Sequence, residues 1–391
     1  MDNHPRFRIL KLAACPLPLP RGSQVLIAGL AAVLKARGHA VEVVAYAAGA
    51  DTPKLPFPVH RTPAWPLLRR QDPHPSLVKP LLDVLLAREA LRCVRRGQPD
   101  VLHAHNLEGL VVGLWLRRRT GLPLIYHQHN LLEPELPTYF RFPPLRWAGR
   151  VLGHWADQHL PQQADACIVL HDQAAAYLQR CGVDPRRVHV VPPGIDRPGP
   201  TDDPATVRGR YQLGHGPLVL YSGNLDHYQD LAFLRRAFSI VHRVRPDTKL
   251  LIATHRGRRG EAVQRSQSGE VVIAVDSWAE MAHLLAAADV VVSPRQVCWG
   301  FPIKVLNYMA AGRPIVAAAG SAQGLRHMET AWIVDNGQAT SFAHAILTLL
   351  QDHELATRLG QAARLDVEYH YTWSACVTAI EAVYTQVTDK V

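Results

Sequence analysis

A loop between an apolar strand and a helix carries the residues best suited to bind a ligand. A β-branched run ends at Ser293, Gly300 lies in the loop that follows, and a segment with helical period ends at Gly312. This order predicts a βαβ unit whose loop reaches the start of a helix. A helix N-terminus presents unpaired N–H groups and the positive end of its dipole. The loop and the first helical turn, which includes Lys304, are therefore expected to bind phosphate or hydroxyl groups.

Histidines stand at the ends of two predicted strands. The segment PDVLHAH ends at His105, and the segment YHQHN contains His127 and His129. Ligands of doubly wound sheets bind at the carboxyl ends of the strands. A neutral imidazole there can donate to a hydroxyl group or take part in a proton transfer. A hydrogen-bonded structural histidine is the alternative interpretation for each of the three.

Short apolar strands alternate with amphipathic helices in both halves of the chain. Near-continuous apolar strands separated by helices are typical of parallel sheets covered on both faces, so the predicted fold class is α/β with two doubly wound domains. The predicted strands of the first half are Arg8–Ala14, Val41–Tyr46, Val101–His105, Leu124–His129, Cys167–His171 and Val188–Pro192. Those of the second half are Leu218–Ser222, Leu250–Thr254, Val271–Val275, Val290–Ser293, Ile315–Ala318 and Trp332–Val334.

The same pattern predicts the domain boundaries. An N-terminal domain covers 1–196, a linker rich in Pro, Gly and Asp covers 197–216, a C-terminal domain covers 217–370, and a final helix lies within 371–391. After the first strand, a helix is predicted from Ser23, as its N-cap, to Arg37.

Composition restricts the class of protein. A chain of 391 residues that is 48% apolar fits two globular domains. Apolar runs stay below the roughly 18 residues of a bilayer span, and the polar, basic start does not resemble a secretory signal, so a cytoplasmic protein is expected. The six scattered cysteines are expected to be reduced thiols. Zinc-site spacing of His, Cys and Asp is absent, so no metal site is expected.

Positive charge is concentrated in the N-terminal half. Residues 1–196 contain 24 Lys and Arg against 15 Asp and Glu, a net charge of +9, whereas the remainder carries +1. A basic half indicates an anionic partner such as a phospholipid surface or a phosphate-bearing acceptor. Nucleic acid is not expected, because no basic-aromatic recognition module appears. Ordinary solvated surfaces are the alternative.

The segment from Ser293 to Val316 resembles the donor-binding signature of the retaining glycosyltransferases of family 4, which have the GT-B fold. The family has two glutamates separated by seven residues, and Trp299 and Asn307 stand at their positions here. The resemblance implies two Rossmann-like domains facing each other across a cleft, with the final helix crossing back towards the N-terminal, acceptor-side domain.

The resemblance also implies roles for individual residues. In the family, an arginine and a lysine near the first strand of the second domain neutralise the leaving diphosphate, and Asn224 and Gln229 stand at their places here. The implied donor-binding residues are Gly22, Gly223, Asn224, Gln229, Arg256, Arg295, Trp299, Gly300, Phe301, Lys304 and Asn307. The implied catalytic residues are His129 and, second, His127, and the implied acceptor-side residues are Ser23 and His105.

The function that follows is transfer of a sugar from a nucleotide-diphosphate sugar to a hydroxyl acceptor, with retention and without a metal or other cofactor. A role in cell-envelope glycolipid or polysaccharide synthesis and contact with the inner face of the membrane are further hypotheses. Trp65, Trp147 and the arginines near them, including Arg141, form the candidate membrane patch, with ordinary helix packing as the alternative. The alternative function is a non-catalytic GT-B relative that binds a nucleotide-sugar or serves as a subunit of a glycosylation complex.

Overall fold

The computed structural model of the chain describes residues 5–18, 22–47, 54–63, 79–140, 142–196, 199, 201–254, 263–266, 268–275 and 277–389. Only the backbone is described for residues 263–265. Trp65, Arg141 and Arg256, three of the predicted binding residues, lie outside the described residues.

The N-terminal half alternates strands with helices around one sheet. The bounds are β1 Arg8–Pro16, α1 Gly22–Ala36, β2 Ala40–Tyr46, β3 Val59–Arg61, α2 Lys79–Gly97, β4 Val101–His105, α3 Asn106–Thr120, β5 Leu124–His127, α4 Leu132–Glu135, α5 Pro143–His159, β6 Ala166–Val169, α6 Asp172–Arg180 and β7 Val188–Val190. Single 3₁₀ turns cover Leu136–Tyr139, Pro161–Gln163 and Pro185–Arg187. The strands are all parallel, in the order β3-β2-β1-β4-β5-β6-β7.

The C-terminal half repeats this arrangement. The bounds are α7 Pro204–Arg210, β8 Leu218–Ser222, α8 Leu231–Val244, β9 Lys249–Thr254, β10 Val263–Arg265, β11 Glu270–Ala274, α9 Trp278–Ala287, β12 Val290–Ser293, α10 Ile303–Ala310, β13 Ile315–Ala318, β14 Trp332–Val334, α11 Ala339–Gln351, α12 His353–His370 and α13 Trp373–Thr388. Its 3₁₀ turns cover His227–Gln229 and Ala319–Ser321. The strand order is β10-β11-β9-β8-β12-β13-β14, parallel except for β10 against β11.

Burial explains why these segments form a doubly wound α/β fold. Every residue of β4 and β8 is buried, as expected for central strands with helices on both faces. Helix α8 buries Leu231, Leu234 and Phe238, which share one side at helical spacing. The α/β prediction is therefore confirmed for both sheets.

The chain is divided into two compact units. The first comprises Met1–Gly194, Trp299–Phe301 and Trp373–Val391, and the second comprises Ile195–Cys298 and Pro302–Thr372. Within the first unit, α13 packs against α1, where Arg37 and Glu381 form an ion pair of 2.7 Å. Gly29 allows this close packing, because a Cβ there would overlap the ring of Trp373. Helix α13 is therefore part of the core of the first unit.

Several predicted boundaries differ from the structure. Strand β5 ends at His127, so His129 lies in the loop beyond it. Helix α1 begins at Gly22, which places Ser23 inside the first turn and not at the N-cap. The short strands β3 and β10 were not predicted, because three-residue edge strands carry little periodic signal. All six cysteines are free and buried, which confirms the prediction of reduced thiols. Among the helices within the described ranges, none combines the length and apolar character of a bilayer span.

Candidate active site

The loop between β12 and α10 is held by side chains of the second unit. Asp230 accepts the backbone N–H of Gln296 at 2.8 Å, and Asn336 donates to the Gln296 carbonyl at 2.8 Å. Asp230 has a left-handed backbone, with φ of 55°, at the start of α8. Such a conformation is uncommon for a residue with a side chain, and Asp tolerates it better than most. The sequence pattern did not indicate a role for Asp230.

Lys304 lies on the first turn of α10 and meets three neutral groups. Its Nζ donates to Gln229 Oε1 at 2.8 Å and lies 4.3 Å from the centre of the Tyr221 ring. It is also near the backbone of Gly223, where a Cβ would be 3.7 Å from Nζ. Gly223 has φ of 142°, a conformation that favours glycine. The structure therefore brings three predicted donor residues together: Gly223, Gln229 and Lys304.

Asn224 and Arg295 lie in the same region of the second unit and share a partner. The Asn224 amide donates to the Tyr228 hydroxyl at 2.7 Å, and the Arg295 guanidinium lies 4.9 Å from the centre of the Tyr228 ring. Neither Arg295 nor Lys304 forms an ion pair with any carboxylate of the described residues. Two cations without a carboxylate partner would favour an anion bound in this region.

Burial changes the electrostatics of Lys304. Removal from water, and secondarily the charge of Arg295, lowers the pKa of Lys304 to about 7. The ammonium form is therefore disfavoured, and an anion bound beside Nζ would favour it again. Proton uptake on anion binding follows from this arrangement.

A tyrosine connects the end of β8 to α10. Tyr308 is fully buried, and its hydroxyl accepts the backbone N–H of Ser222 at 2.9 Å and donates to the Ser222 carbonyl at 3.2 Å. These two hydrogen bonds hold α10, which includes Lys304 in its first turn, against the end of β8. Asn307 lies three residues beyond Lys304 on the same helix and is partly buried. Tyr221 and Tyr308, which flank Gly223 and Lys304 in sequence, were a usable sequence signal for this region.

The other predicted donor residues within the described ranges belong to the first compact unit. Trp299, Gly300 and Phe301 follow β12 in sequence, but they belong to the first compact unit. Gly300 and Phe301 are buried, and Trp299 is partly buried. Gly22 is exposed at the first residue of α1, next to the half-buried Ser23.

Four histidines form a buried cluster at the ends of β4 and β5 in the first unit. His105 Nδ1 lies 3.0 Å from His129 Nε2, and His103 Nε2 lies 3.1 Å from His127 Nδ1. His105 is 0% exposed and His129 only 4%. The parallel register that pairs His105 with His127 brings these rings together.

Burial keeps the four imidazoles neutral. It lowers the pKa of His129 to about 3 and holds the pKa values of His103, His105 and His127 well below the usual range, with the neighbouring charged forms adding to the effect. A neutral imidazole has one N–H and one acceptor nitrogen. Within the described residues, His105 Nε2, His127 Nε2 and His129 Nδ1 have no hydrogen-bond partner. Each of the two histidine pairs therefore shares one N–H proton in its hydrogen bond. The three buried nitrogens without a partner are left available to a ligand.

A buried lysine and a tyrosine complete the cluster. Lys11 on β1 is 0% exposed, and its Nζ lies 3.3 Å from His103 Nδ1. The hydroxyl of Tyr384, from α13, lies 2.7 Å from the same nitrogen. Burial lowers the pKa of Lys11 to about 7, so about half of it is neutral at that pH. These partners come from positions far apart in sequence.

Two groups of side chains in the described residues place possible metal-ligand atoms within 4.8 Å of one another. One comprises His103, His105 and His127, and the other comprises Glu42, His60 and Cys93. Spacing along the chain predicts no metal site, whereas these groups form across neighbouring elements. In the histidine group, His103 already pairs with His127, Lys11 and Tyr384, and a cation beside Lys11 would meet a like charge.

Comparisons with known proteins agree with this architecture. Residues 20–197 match the family model described as Glycosyltransferase Family 4, and residues 216–352 match the model described as Glycosyl transferases group 1. Among similar solved structures, sucrose-phosphate synthase from Thermosynechococcus elongatus has a TM-score of 0.80 at 19% identity, covering 98% of this chain and 100% of that one. Anabaena HepE in complex with UDP has a TM-score of 0.75 at 17% identity, covering 97% and 100%.

Curated relatives show the same extent of similarity. The D-inositol 3-phosphate glycosyltransferase of Pseudarthrobacter chlorophenolicus is 26% identical, with 98% of this chain and 96% of the relative covered. The protein of the same name from Corynebacterium efficiens is 27% identical, with 81% and 79% covered. The fold, two doubly wound parallel sheets in two units, is GT-B, the fold of glycosyltransferases. The two family models together span most of the chain, so the chain is a glycosyltransferase, and its N-terminal half matches the model of family 4.

Proposed function

We propose that this glycosyltransferase binds a nucleoside diphosphate sugar in its C-terminal unit and transfers the sugar, with retention, to a hydroxyl acceptor. The observation that carries the proposal is the position of Lys304, on the first turn of α10, with neutral partners and a depressed pKa. Helix N-termini and unpaired cations are the groups that bind a diphosphate. The solved structures of HepE with UDP and with UDP-glucose give independent support for a donor of this class.

The neutral residues at the two positions where the family carries cations have a place in this proposal. Gln229 accepts a hydrogen bond from Lys304 and therefore orients the ammonium group without neutralising it. Lys304, Arg295 and the N-terminus of α10 would together stabilise the charge of the leaving diphosphate. We propose on this basis that the reaction needs no metal ion.

His129 is proposed to contact the transferred sugar or the acceptor hydroxyl. With its pKa lowered to about 3, the ring would be neutral at physiological pH and would form a hydrogen bond through Nδ1, the nitrogen left free by His105. The other three histidines would then act by fixing the position and protonation of this ring. His105, which is fully buried, would influence the acceptor through His129.

The acceptor is proposed to carry a phosphate or a lipid. The relatives of P. chlorophenolicus and C. efficiens are named for a phosphorylated acceptor, and the N-terminal half of this chain carries a net charge of +9. A basic domain attracts anionic acceptors and anionic membranes. We therefore propose a cytoplasmic enzyme of envelope glycolipid or polysaccharide synthesis that works at the inner face of the membrane.

Titration calorimetry with nucleoside diphosphates, followed by a panel of nucleotide-sugars, tests donor binding. UDP or another nucleoside diphosphate should bind, and Lys304→Ala should weaken binding by about 1–3 kcal/mol, the worth of a charge-assisted hydrogen bond. Unchanged affinity in Lys304→Ala would remove this residue from the donor site.

A non-catalytic donor-binding protein is the second candidate. Trp299 and Asn307 favour it, because neither side chain offers the carboxylate that the family has at these positions. Nucleotide binding without turnover of any donor, in the presence of phosphorylated and lipid acceptors, would support this candidate over transfer.

A further inference from the structure

Helix α5 presents its large apolar side chains to solvent. Leu145, Trp147, Leu152 and Trp155 have exposed fractions of 50%, 70%, 57% and 50%. Val151 is similarly exposed, as is Phe142 immediately before the helix. A helix on the surface of a globular protein normally has the opposite distribution, with apolar residues inward. A contiguous exposed apolar surface of this kind marks an interaction site.

The inward side of α5 is built from small residues. Gly149, Gly153 and Ala156 are buried, together with Asp157. A Cβ at Gly153 would lie 2.7 Å from the Cα of Glu133, so the glycine permits direct contact between the α5 and α4 backbones. The helix is therefore packed through its small residues, and its bulky side chains are left outside.

Asp157 fixes the orientation of the helix. Its Oδ2 accepts the backbone N–H groups of Leu132 and Glu133, at 2.9 and 2.8 Å, at the start of α4. Glu133 accepts in turn from the Tyr177 hydroxyl at 2.6 Å. With one side of α5 held by these contacts, rotation that would bury the tryptophans is prevented. The outward apolar face is a fixed feature of the first unit.

The exposed residues form one face with a basic border. At 100° per residue, Trp147, Val151, Trp155, Leu152 and Leu145 fall in one arc of about 160°. Two basic side chains, Arg150 and His154, lie beyond one edge of this arc, about 60° and 20° from Trp147. Both contact Glu133, at 3.4 and 3.0 Å, on this side of the helix. We call Phe142, Leu145, Trp147, Val151, Leu152 and Trp155 the α5 outer face.

We propose that the α5 outer face docks the protein on an anionic phospholipid bilayer, with the helix lying in the plane of the interface. This inference rests on the proposed function, in which the acceptor is lipid-linked or phosphorylated. Tryptophan is the residue type that favours the headgroup region, and basic residues at the edge of an apolar face attract anionic lipids. Length and hydropathy exclude spanning by the described helices, which leaves surface binding.

A second copy of the chain fits this face less well. Six large side chains are few beside the roughly 20–30 residues a side of a standard interface. A symmetric contact would also bring the basic edges of two copies towards each other. A bilayer has neither problem, because its anionic headgroups match the basic edge.

Co-flotation of the full-length protein with vesicles tests the proposal. Mixed phosphatidylglycerol and phosphatidylcholine vesicles should carry the wild type at low salt, with weaker binding at about 0.15 M ionic strength, where exposed charges are screened within about 8 Å. The double variant Trp147→Ala/Trp155→Ala should bind at least about tenfold more weakly, because both indoles are removed from the interface. Arg150→Gln should reduce binding to the anionic vesicles and leave the weak binding to pure phosphatidylcholine unchanged.

A matched control separates this surface from general stickiness. Leu365 and Tyr369 on α12 of the second unit are also exposed, at 54% and 74%, so Leu365→Ala/Tyr369→Ala removes comparable apolar area elsewhere. The control should float as the wild type does. If Trp147→Ala/Trp155→Ala also floats as the wild type, or if the wild type fails to float at low salt, the proposal is wrong. If the wild type is a dimer and the tryptophan variant is a monomer, the α5 outer face binds a second copy of the chain and not a bilayer.

UDP binding by the same variants keeps this test separate from that of the proposed function. The tryptophan variant should retain the wild-type melting temperature and UDP affinity, because both side chains lie on the surface of the first unit. Loss of vesicle binding with intact UDP binding supports the docking surface. Absence of nucleotide binding in every variant would contradict the proposed function without altering the vesicle result.

Discussion

Raising the pH above 7 should weaken nucleotide binding through Lys304 alone. Burial lowers the pKa of this lysine to about 7 in the free protein, whereas a bound diphosphate would raise it. Binding above pH 7 therefore requires proton uptake. The ligand charge changes little in this window, because the second pKa of a phosphate ester is about 6. The pH dependence of nucleotide binding then reports the protonation of Lys304.

The size of the effect follows from the lowered pKa. With a pKa of about 7 in the free protein and a lysine that stays protonated in the complex, the dissociation constant for UDP should rise about fivefold from pH 7 to pH 8 and about fiftyfold from pH 7 to pH 9. Titration calorimetry in buffers with different ionisation enthalpies should detect uptake of about half a proton at pH 7 and nearly one at pH 9.

Two variants isolate the lysine from other groups that titrate in this range. Lys304→Arg keeps a cation that does not deprotonate, so its affinity should be nearly constant from pH 7 to pH 9. Lys304→Met should bind UDP weakly at pH 7 and show the same constancy. Lys11, whose pKa is also lowered to about 7, is present in all three proteins and serves as an internal control. Equal pH dependence in wild type and Lys304→Arg would refute the reasoning.

Three further outcomes test other parts of the structure. Burial lowers the pKa of Lys11 below its value in the unfolded chain, so the unfolded state binds more protons above pH 7. This group should therefore make the protein about 2 kcal/mol more stable at pH 9 than at pH 7. Urea unfolding of Lys11→Met should lack that increment and show higher stability than the wild type at pH 7. Gly29→Ala should cost about 1–3 kcal/mol through its clash with Trp373, whereas Gly209→Ala in α7, with open space around it, should stabilise by about 0.5–1 kcal/mol. His129→Ala should lower kcat at least about 100-fold in steady-state assays and leave UDP affinity within about twofold, and equal losses in both would mark the residue as structural.

The sequence predicted the sheets well because their central strands are long apolar runs. Strands β8 and β12 were placed at their observed bounds, since continuous burial on both faces leaves a clear signal between turn residues. The two short edge strands β3 and β10 were missed because three residues cannot show a period. The end of β5 was placed two residues late, because polar His127 and His129 alternate as they would in a strand.

Side-chain environments were harder to predict than elements. Lys11 resembles a surface residue in sequence, and only the parallel register of β1 with β4 shows that it lies beside His103. The pairing of His105 with His129 depends likewise on the register of β4 and β5, which the sequence does not contain.

The outward face of α5 was unpredictable for a different reason. Apolar periodicity normally identifies the packed side of a helix. In α5 the packed side consists of Gly149, Gly153 and Ala156, so the periodicity of its large residues indicates the wrong side. Trp147 was recognised as a membrane-contact candidate from composition, but the contribution of Leu152 and Trp155 required the packing of α5 on α4.

The activity proposed for this chain is transfer of a sugar from a nucleotide-diphosphate donor with retention and without a metal. Proton NMR of the wild-type protein with a panel of nucleotide-sugars and EDTA measures it directly, through donor consumption and the anomeric form of the first product. We predict that at least one α-linked donor is consumed to give the α product, and that Lys304→Ala lowers kcat/KM about 10- to 100-fold. Consumption of no donor, a β product, or activity that EDTA abolishes and added metal restores would contradict the account.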